Sequence, residues 1–206
     1  AYARAIVANF YCSISQNIVN LLMGFIAIIL LNQILYNNHP FLTVSLVTLS
    51  GISTLLLLIV YLHLNLFVHL GQRIKHIKQW TQKWEIDKFT HNANGVILMW
   101  AFLRYAVYLI QYLIVIEILG FEIGLIEKFG VVGIIFMLQS VVILPSLMGF
   151  VARVEIAFFV WSIVGIIKEE ILIATLFLWV VNLALPAFLG SIWLLINRNK
   201  NDEKLI

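Results

Sequence analysis

Leu144-Pro-Ser-Leu-Met-Gly-Phe-Val-Ala-Arg-Val-Glu-Ile156 places a proline, a glycine, an arginine and a glutamate between two long apolar runs. Proline has no amide hydrogen and glycine forms helix poorly, so backbone groups come free here. In hydrocarbon, a freed backbone group or a charge persists only where protein or enclosed water surrounds it. Two arrangements satisfy that condition. One is a short turn with Arg153 and Glu155 among lipid headgroups; the other is a broken helix lining a polar cavity, the usual form of transporter sites. The apolar segment that follows, residues 154–167, is short for a crossing and suits a re-entrant helix. Opposite charges two residues apart do not share a helical face, so Arg153 and Glu155 are expected to face different partners. Arg104, about 12 Å into its own span, is the candidate partner of Glu155.

The surrounding composition sets the class. Hydrophobic residues make up 63% of the 206, charged residues 11%, and mean hydropathy is +1.03, which excludes a water-soluble domain. Several runs exceed the roughly 20 apolar residues that cross about 30 Å of hydrocarbon. The fold class is therefore all-α, a polytopic helical membrane protein with about six membrane segments and a broken or re-entrant region near residues 145–167. The expected spans are residues 5–35, 41–68, 96–118, 130–150, 154–167 and 171–196, in a single transmembrane domain covering 1–206.

Within the first span Asn9, Ser13, Gln16, Asn20 and Gly24 recur every three or four residues and share one helical face. Such a face either glues helices together or lines a polar path. In the second span Ser45, Thr48, Gly51 and Ser53 offer small positions for close packing. The third carries Arg104, Tyr108, Gln111 and Tyr112 on one face. Gln139 and Ser140 interrupt the fourth, and Asn182 and Pro186 the sixth.

Residues 69–95 form a polar connector. Arg73, Lys75, Lys78, Lys83 and Lys88 outnumber Glu85 and Asp87, and Ile74, Ile77, Trp80, Trp84 and Phe89 have roughly helical spacing. This fits a basic amphipathic helix on the cytoplasmic membrane face, or a solvated helix packed on the bundle. With the connector inside and six crossings, both ends lie inside. Ten cations (Arg4, the connector's five, Arg153, Arg198, Lys200 and Lys204) are then internal, against Lys128 and Lys168 outside. The positive-inside rule expects that imbalance.

Several chemistries lack their residues. The sequence has no Gly-rich phosphate loop, no HExxH, no paired-cysteine zinc spacing and no GxSxG. Its histidines lack ligand spacing and its single cysteine, Cys12, has no partner for a disulfide. No catalytic residue, metal or cofactor is expected, and no basic face interleaved with aromatics suggests nucleic acid. The first residues do not follow the order of a signal peptide.

The polar positions do resemble a known family. Pro145 with Gly149 and Arg153-Val-Glu155, then Asn182-Leu-Ala-Leu-Pro186 with Gly190, look like the C-terminal half of the lysylphosphatidylglycerol synthase transmembrane-region family. Ser13-Ile-Ser-Gln16 with Gly24, and Leu103-Arg-Tyr105 with Gln111-Tyr112, resemble recurrent positions of the same bacterial flippase-like proteins. The resemblance spans nearly the whole chain, but each motif is short. Members often read Gly-x-Gly-x-Arg-Glu where this chain has Ala152 before Arg153 and Val154 before Glu155. Their earlier Pro/Gly/Glu element and the soluble aminoacyl-transferring domain have no counterpart, so the chain is expected to be an N-terminally incomplete member and not a synthase.

The resemblance implies a protein of the bacterial inner membrane that binds or translocates a lipid or lipid-linked anionic substrate. The residues expected at its cavity are Gln16, Asn20, Arg104, Gln111, Pro145, Gly149, Arg153, Glu155 and Asn182. Nothing in the sequence supplies energy coupling: there is no nucleotide site, and protonation of Glu155 or Glu117 is the one option left open. Its partners would be membrane lipids, with a further membrane subunit or a second copy also open. The alternative is a non-catalytic accessory membrane protein in which Arg104 and Glu155 satisfy each other. A lipid-modifying enzyme is a third class, without a nucleophile or metal site to support it.

Overall fold

The structure, a computed structural model, describes residues 2–62, 91–142, 146–166 and 169–202. Among these residues the chain is all-helical, with no strand. The elements are α1 (Tyr2–Leu30), α2 (Asn32–Asn38), α3 (Pro40–Leu62), α4 (His91–Ile118), α5 (Leu125–Val141), α6 (Ser146–Ile163), α7 (Glu170–Trp179), a π-helical turn (Val180–Ala184) and α8 (Leu185–Asp202). Pro40 opens α3 at the first helical position, where its missing amide costs nothing. Most of the basic connector, and Pro145 itself, lie outside the described residues.

Four helical stretches are long and apolar enough to cross a membrane: Tyr11–Leu30, Pro40–Tyr61, Gly95–Ile118 and Glu170–Trp193. The expected count of about six is not confirmed. The two remaining candidates became α5 and α6, of 17 and 18 residues. The fourth expected span, 130–150, already leaves the helix at Val142, whose backbone is extended (φ −89°, ψ 107°). Arg153 and Glu155 lie within the uninterrupted helix α6, so neither a turn nor a helix break falls at these two charges.

Two glycines end helices in the same way. Gly120 (φ 73°) follows α4 and Gly165 (φ 79°) follows α6. Around Gly120 the Phe121 amide bonds the Ile116 carbonyl at 3.1 Å, and around Gly165 the Ile166 amide bonds the Trp161 carbonyl at 3.0 Å. These are Schellman caps, in which the left-handed position is held by the residue without a Cβ.

Helix α5 is the axis of the bundle. Val131, Val132, Ile134 and Ile135 are all essentially inaccessible, as expected for a helix apolar on every side. Its glycine face lies against α1: Gly130 meets Leu31, Gly133 meets Ala27, and Met137 meets Gly24. The pairs run in opposite directions along the two helices, so α1 and α5 are antiparallel. Helix α6 then returns alongside α5, its Arg153 carbonyl near Gln139 and its Trp161 ring 4.8 Å from Phe121 beyond the end of α4. Helices α5 and α6 thus run antiparallel, as the two arms of a hairpin.

Helix α3 covers α1 from the side. Ser15 Oγ and Tyr61 Oη lie 2.9 Å apart, and Gly51 takes the edge of Phe25. The close-packing face on α3 is only in part the expected one: Gly51 belongs to it and Thr48 does not. Thr43, Ser50 and Thr54 are buried, whereas Thr48 is exposed. All five hydroxyls, Thr43, Ser45, Thr48, Ser50 and Thr54, bond carbonyls of their own helix and need no neighbour.

The described residues hold one ion pair, between Lys128 at the start of α5 and Glu117 near the end of α4. Lys128 is 5% exposed, while the Glu117 carboxylate stands largely in the open. Losing Glu117 would leave a buried ammonium uncompensated; losing Lys128 would leave only a solvated carboxylate. Glu117→Gln is expected to destabilise the detergent-solubilised protein by about 1–3 kcal/mol, and Lys128→Met to cost less than 1.5 kcal/mol. Melting curves of the two variants measure the asymmetry; equal losses would remove it.

Candidate functional site

A cavity of about 330 Å³ opens between α1, α4, the α5–α6 hairpin and α7 with its π turn. From α1 come Gln16 and Asn20, the middle of the expected polar face, with Asn17 beside them. Gly24, one step further along that face, is buried under Met137, which closes it. Ser13 and Asn9, at the other end, are exposed. The face therefore lines the cavity over its middle and forms a packing seam at its far end.

Helix α4 contributes Arg104 and Tyr108. Arg104 Nε donates to Tyr108 Oη at 3.1 Å, and the guanidinium carbon lies 5.3 Å from the centre of the same ring. The i, i+4 spacing makes this clamp, which points the arginine along the helix into the cavity. One turn deeper Tyr112 is buried, with the Trp161 indole N–H 3.4 Å from its hydroxyl. Tyr105 and Tyr112 each meet Phe136 edge to face, at 5.7 and 6.0 Å between centroids. This aromatic cluster forms a firm wall.

The hairpin supplies Gln139 and Ser140 from α5 and Arg153 from α6. Gln139 Nε2 donates to the Arg153 carbonyl at 3.4 Å, tying the two helices together beside the cavity. Thr175, Trp179 and Asn182 complete the enclosure. At Asn182 the helix is locally underwound: the Leu185 amide bonds the Val180 carbonyl, five residues back. Pro186 explains this. Its ring would press on the Asn182 carbonyl four residues earlier and could not bond it, and the wider turn relieves both problems.

Arg104 and Arg153 thus reach one cavity from two helices, and none of its lining residues is a carboxylate. Neither arginine has an ion pair among the described residues. Depth matters as well. At 1.5 Å per residue Asn182 lies about 18 Å from Glu170, near the middle of its stretch, and Arg104 about 14 Å from Gly95.

Five of the nine expected cavity residues, Gln16, Asn20, Arg104, Arg153 and Asn182, line it together. Four do not join them. Glu155 is exposed on α6, with no arginine in salt-bridge contact among the described residues. Gln111 lies off the cavity, half-buried, its Oε1 without a hydrogen-bond partner among the described residues. Gly149 is a half-buried residue of α6, and Pro145 falls outside the described residues.

Other lining residues had weaker signals in the sequence. Asn17 sits three residues before Asn20 and so shares its face; Gln139 and Ser140 are the only polar residues of an otherwise apolar run. Thr175 and Trp179 carried none. Among the described residues no three His, Cys, Asp or Glu side chains converge as metal ligands would.

No family model, curated protein or solved structure matches this chain.

Proposed function

We propose that this chain is a flippase-like protein of the bacterial inner membrane that receives the anionic headgroup of a lipid or lipid-linked substrate in the cavity and carries it across. One observation carries the proposal: two arginines and no carboxylate line a cavity that lies part-way along the apolar helical stretches. An arginine at a helix centre costs about 2.5–3.5 kcal/mol to insert, so two of them unpaired by acid need a use. An accessory protein would be expected to neutralise them internally, and the one ion pair among the described residues lies elsewhere.

In this proposal the α5–α6 hairpin is re-entrant. Four long helices make the crossings; the hairpin enters from the side of Lys128 and returns to it, bringing Gln139 and Arg153 to the cavity. The antiparallel register of α5 against α1, with Met137 at Gly24, supports this reading: Val142 comes to about the level of Asn20, short of the Tyr11 end of the first apolar stretch. Non-helical backbone is tolerated at such depth only against a cavity or packed protein. Four crossings, like six, leave both ends on one side, here the cytoplasmic one. Arg153 leaves the tally of loop charges, and the cation asymmetry survives without it.

Reconstituted protein should move a fluorescent anionic phospholipid between leaflets, read by quenching from one side. Arg153→Ala should slow that movement about 10- to 100-fold, the loss of one charge-assisted contact. Glu155→Gln, outside the cavity, should change it less than twofold. Equal rates with and without protein, or equal loss in both variants, would overturn the proposal.

A further inference from the structure

Anion binding accounts for the arginines and leaves the rest of the lining unexplained. Five carboxamides, Gln16, Asn17, Asn20, Gln139 and Asn182, line the same cavity from three elements. A phosphate ester offers acceptors only, and needs nothing but donors from the protein. Here several acceptors remain. Gln16 Nε2 is spent on Asn20 Oδ1 at 3.2 Å, and Gln139 Nε2 on the Arg153 carbonyl, which leaves Oε1 of both glutamines. Asn17 and Asn182 make no side-chain hydrogen bond among the described residues, so each keeps donors and an acceptor.

Acceptors in a bilayer cavity need donors from whatever enters it, since an unmet polar group there is costly. Ammonium donors are disfavoured, because two arginines repel them and no carboxylate is present to hold them. Hydroxyls remain: neutral, each both donor and acceptor, the match of a carboxamide. The rings of Tyr108, Phe136 and Trp179 add apolar faces for the C–H side of a ring-shaped polyol. The volume, about 330 Å³, is at the low end for small-molecule sites and fits a headgroup without its acyl chains.

We infer that the substrate headgroup is a cyclic polyol or sugar joined through a phosphate ester, its phosphate between Arg104 and Arg153 and its hydroxyls on the carboxamides. This rests on the proposed function and narrows it. The same chemistry exists free in water as a sugar phosphate, and the test separates the two sources.

The test is calorimetric binding to the whole chain in neutral phosphatidylcholine nanodiscs. The probes are short-chain phosphatidic acid, short-chain phosphatidylinositol, a neutral glucosyl diacylglycerol and free inositol 1-phosphate. Phosphatidylinositol should bind at least tenfold tighter than phosphatidic acid, and the neutral glycolipid more weakly than either. Asn17→Ala with Asn182→Ala should remove the tenfold preference while leaving phosphatidic acid affinity within twofold, a readout that misfolding cannot mimic. Arg153→Ala should weaken both anionic lipids alike.

Inositol 1-phosphate binding as tightly as phosphatidylinositol would uphold the headgroup class with a free source; much weaker binding would uphold it with a lipid source. Equal affinity for phosphatidic acid and phosphatidylinositol overturns this inference and spares the anion site. Failure of every anionic probe to bind overturns the proposed function itself.

Discussion

Gly133→Ala should lower the melting temperature of the purified protein by about 2–12 °C, and Gly133→Leu should abolish recovery of folded material. A Cβ at Gly133 would stand 2.7 Å from Ala27 Cβ, closer than real Cβ contacts occur. The neighbour cannot swing away, because Ala27 has no side-chain torsion and is 3% exposed in the last turn of α1. Relief therefore requires the two backbones to separate, and overpacking of this kind costs about 1–3 kcal/mol for one methyl. For a chain of this length each kcal/mol is worth about 2–4 °C. The other atoms near that Cβ, Tyr105 Oη at 3.5 Å and Met23 O at 3.6 Å, are at ordinary contact.

The clash is thus with Ala27 specifically, so Ala27→Gly placed with Gly133→Ala should restore most of the loss. Membrane helices associate by such close approach of small residues, since lipid offers no hydrophobic drive between them. A double variant no more stable than Gly133→Ala alone would move the α1–α5 seam away from these two residues.

Arg104→Gln combined with Arg153→Gln should bring anionic-lipid movement down to the protein-free rate. The two guanidiniums reach one cavity from α4 and α6, and both would hold the same headgroup. Each contact to a charged group contributes about 1.5–3 kcal/mol, so losing both costs about 3–6 kcal/mol, roughly 10²–10⁴ in affinity. Glutamine retains a donor of similar reach, and removing two charges that lack acidic partners does not leave a counter-ion stranded. Melting should therefore stay unchanged or rise. A protein that melts like the wild type yet does not move lipid separates a substrate-binding role from a structural one; unaltered movement would take the arginines out of the site.

Much of this arrangement was legible in the sequence, for identifiable reasons. Periodicity placed Gln16 and Asn20 on one face of α1, and a helical surface is fixed by spacing alone. Asn182 was marked by Pro186 four residues on, though the π turn that joins them was not, because proline can be met by a kink instead. The membrane class followed from composition, whereas the expected count of about six segments is not confirmed. Length could not tell the 17 residues of α5 from a short span, because burial by neighbours instead of lipid leaves the same apolar signature.

The expected pairing of Arg104 with Glu155 needed a tertiary distance that no spacing contains. Arg153 turned to the cavity and Glu155 to the outside of α6, as two positions about 200° apart on a helix must. Thr175 and Trp179 were silent for a related reason: a threonine that bonds its own helix and a tryptophan in an apolar run look ordinary until a wall forms around them.

The central claim is that a cationic, acid-free cavity inside the bundle holds an anionic headgroup. Native mass spectrometry tests it most directly, on protein extracted gently from a bacterial membrane and activated until loosely held lipid is lost. The wild-type chain should retain one anionic phospholipid or phosphate-linked glycolipid, and the Arg104→Gln/Arg153→Gln variant should retain none. Retention of the same lipid by both proteins, or of zwitterionic lipid alone by the wild type, would contradict the account.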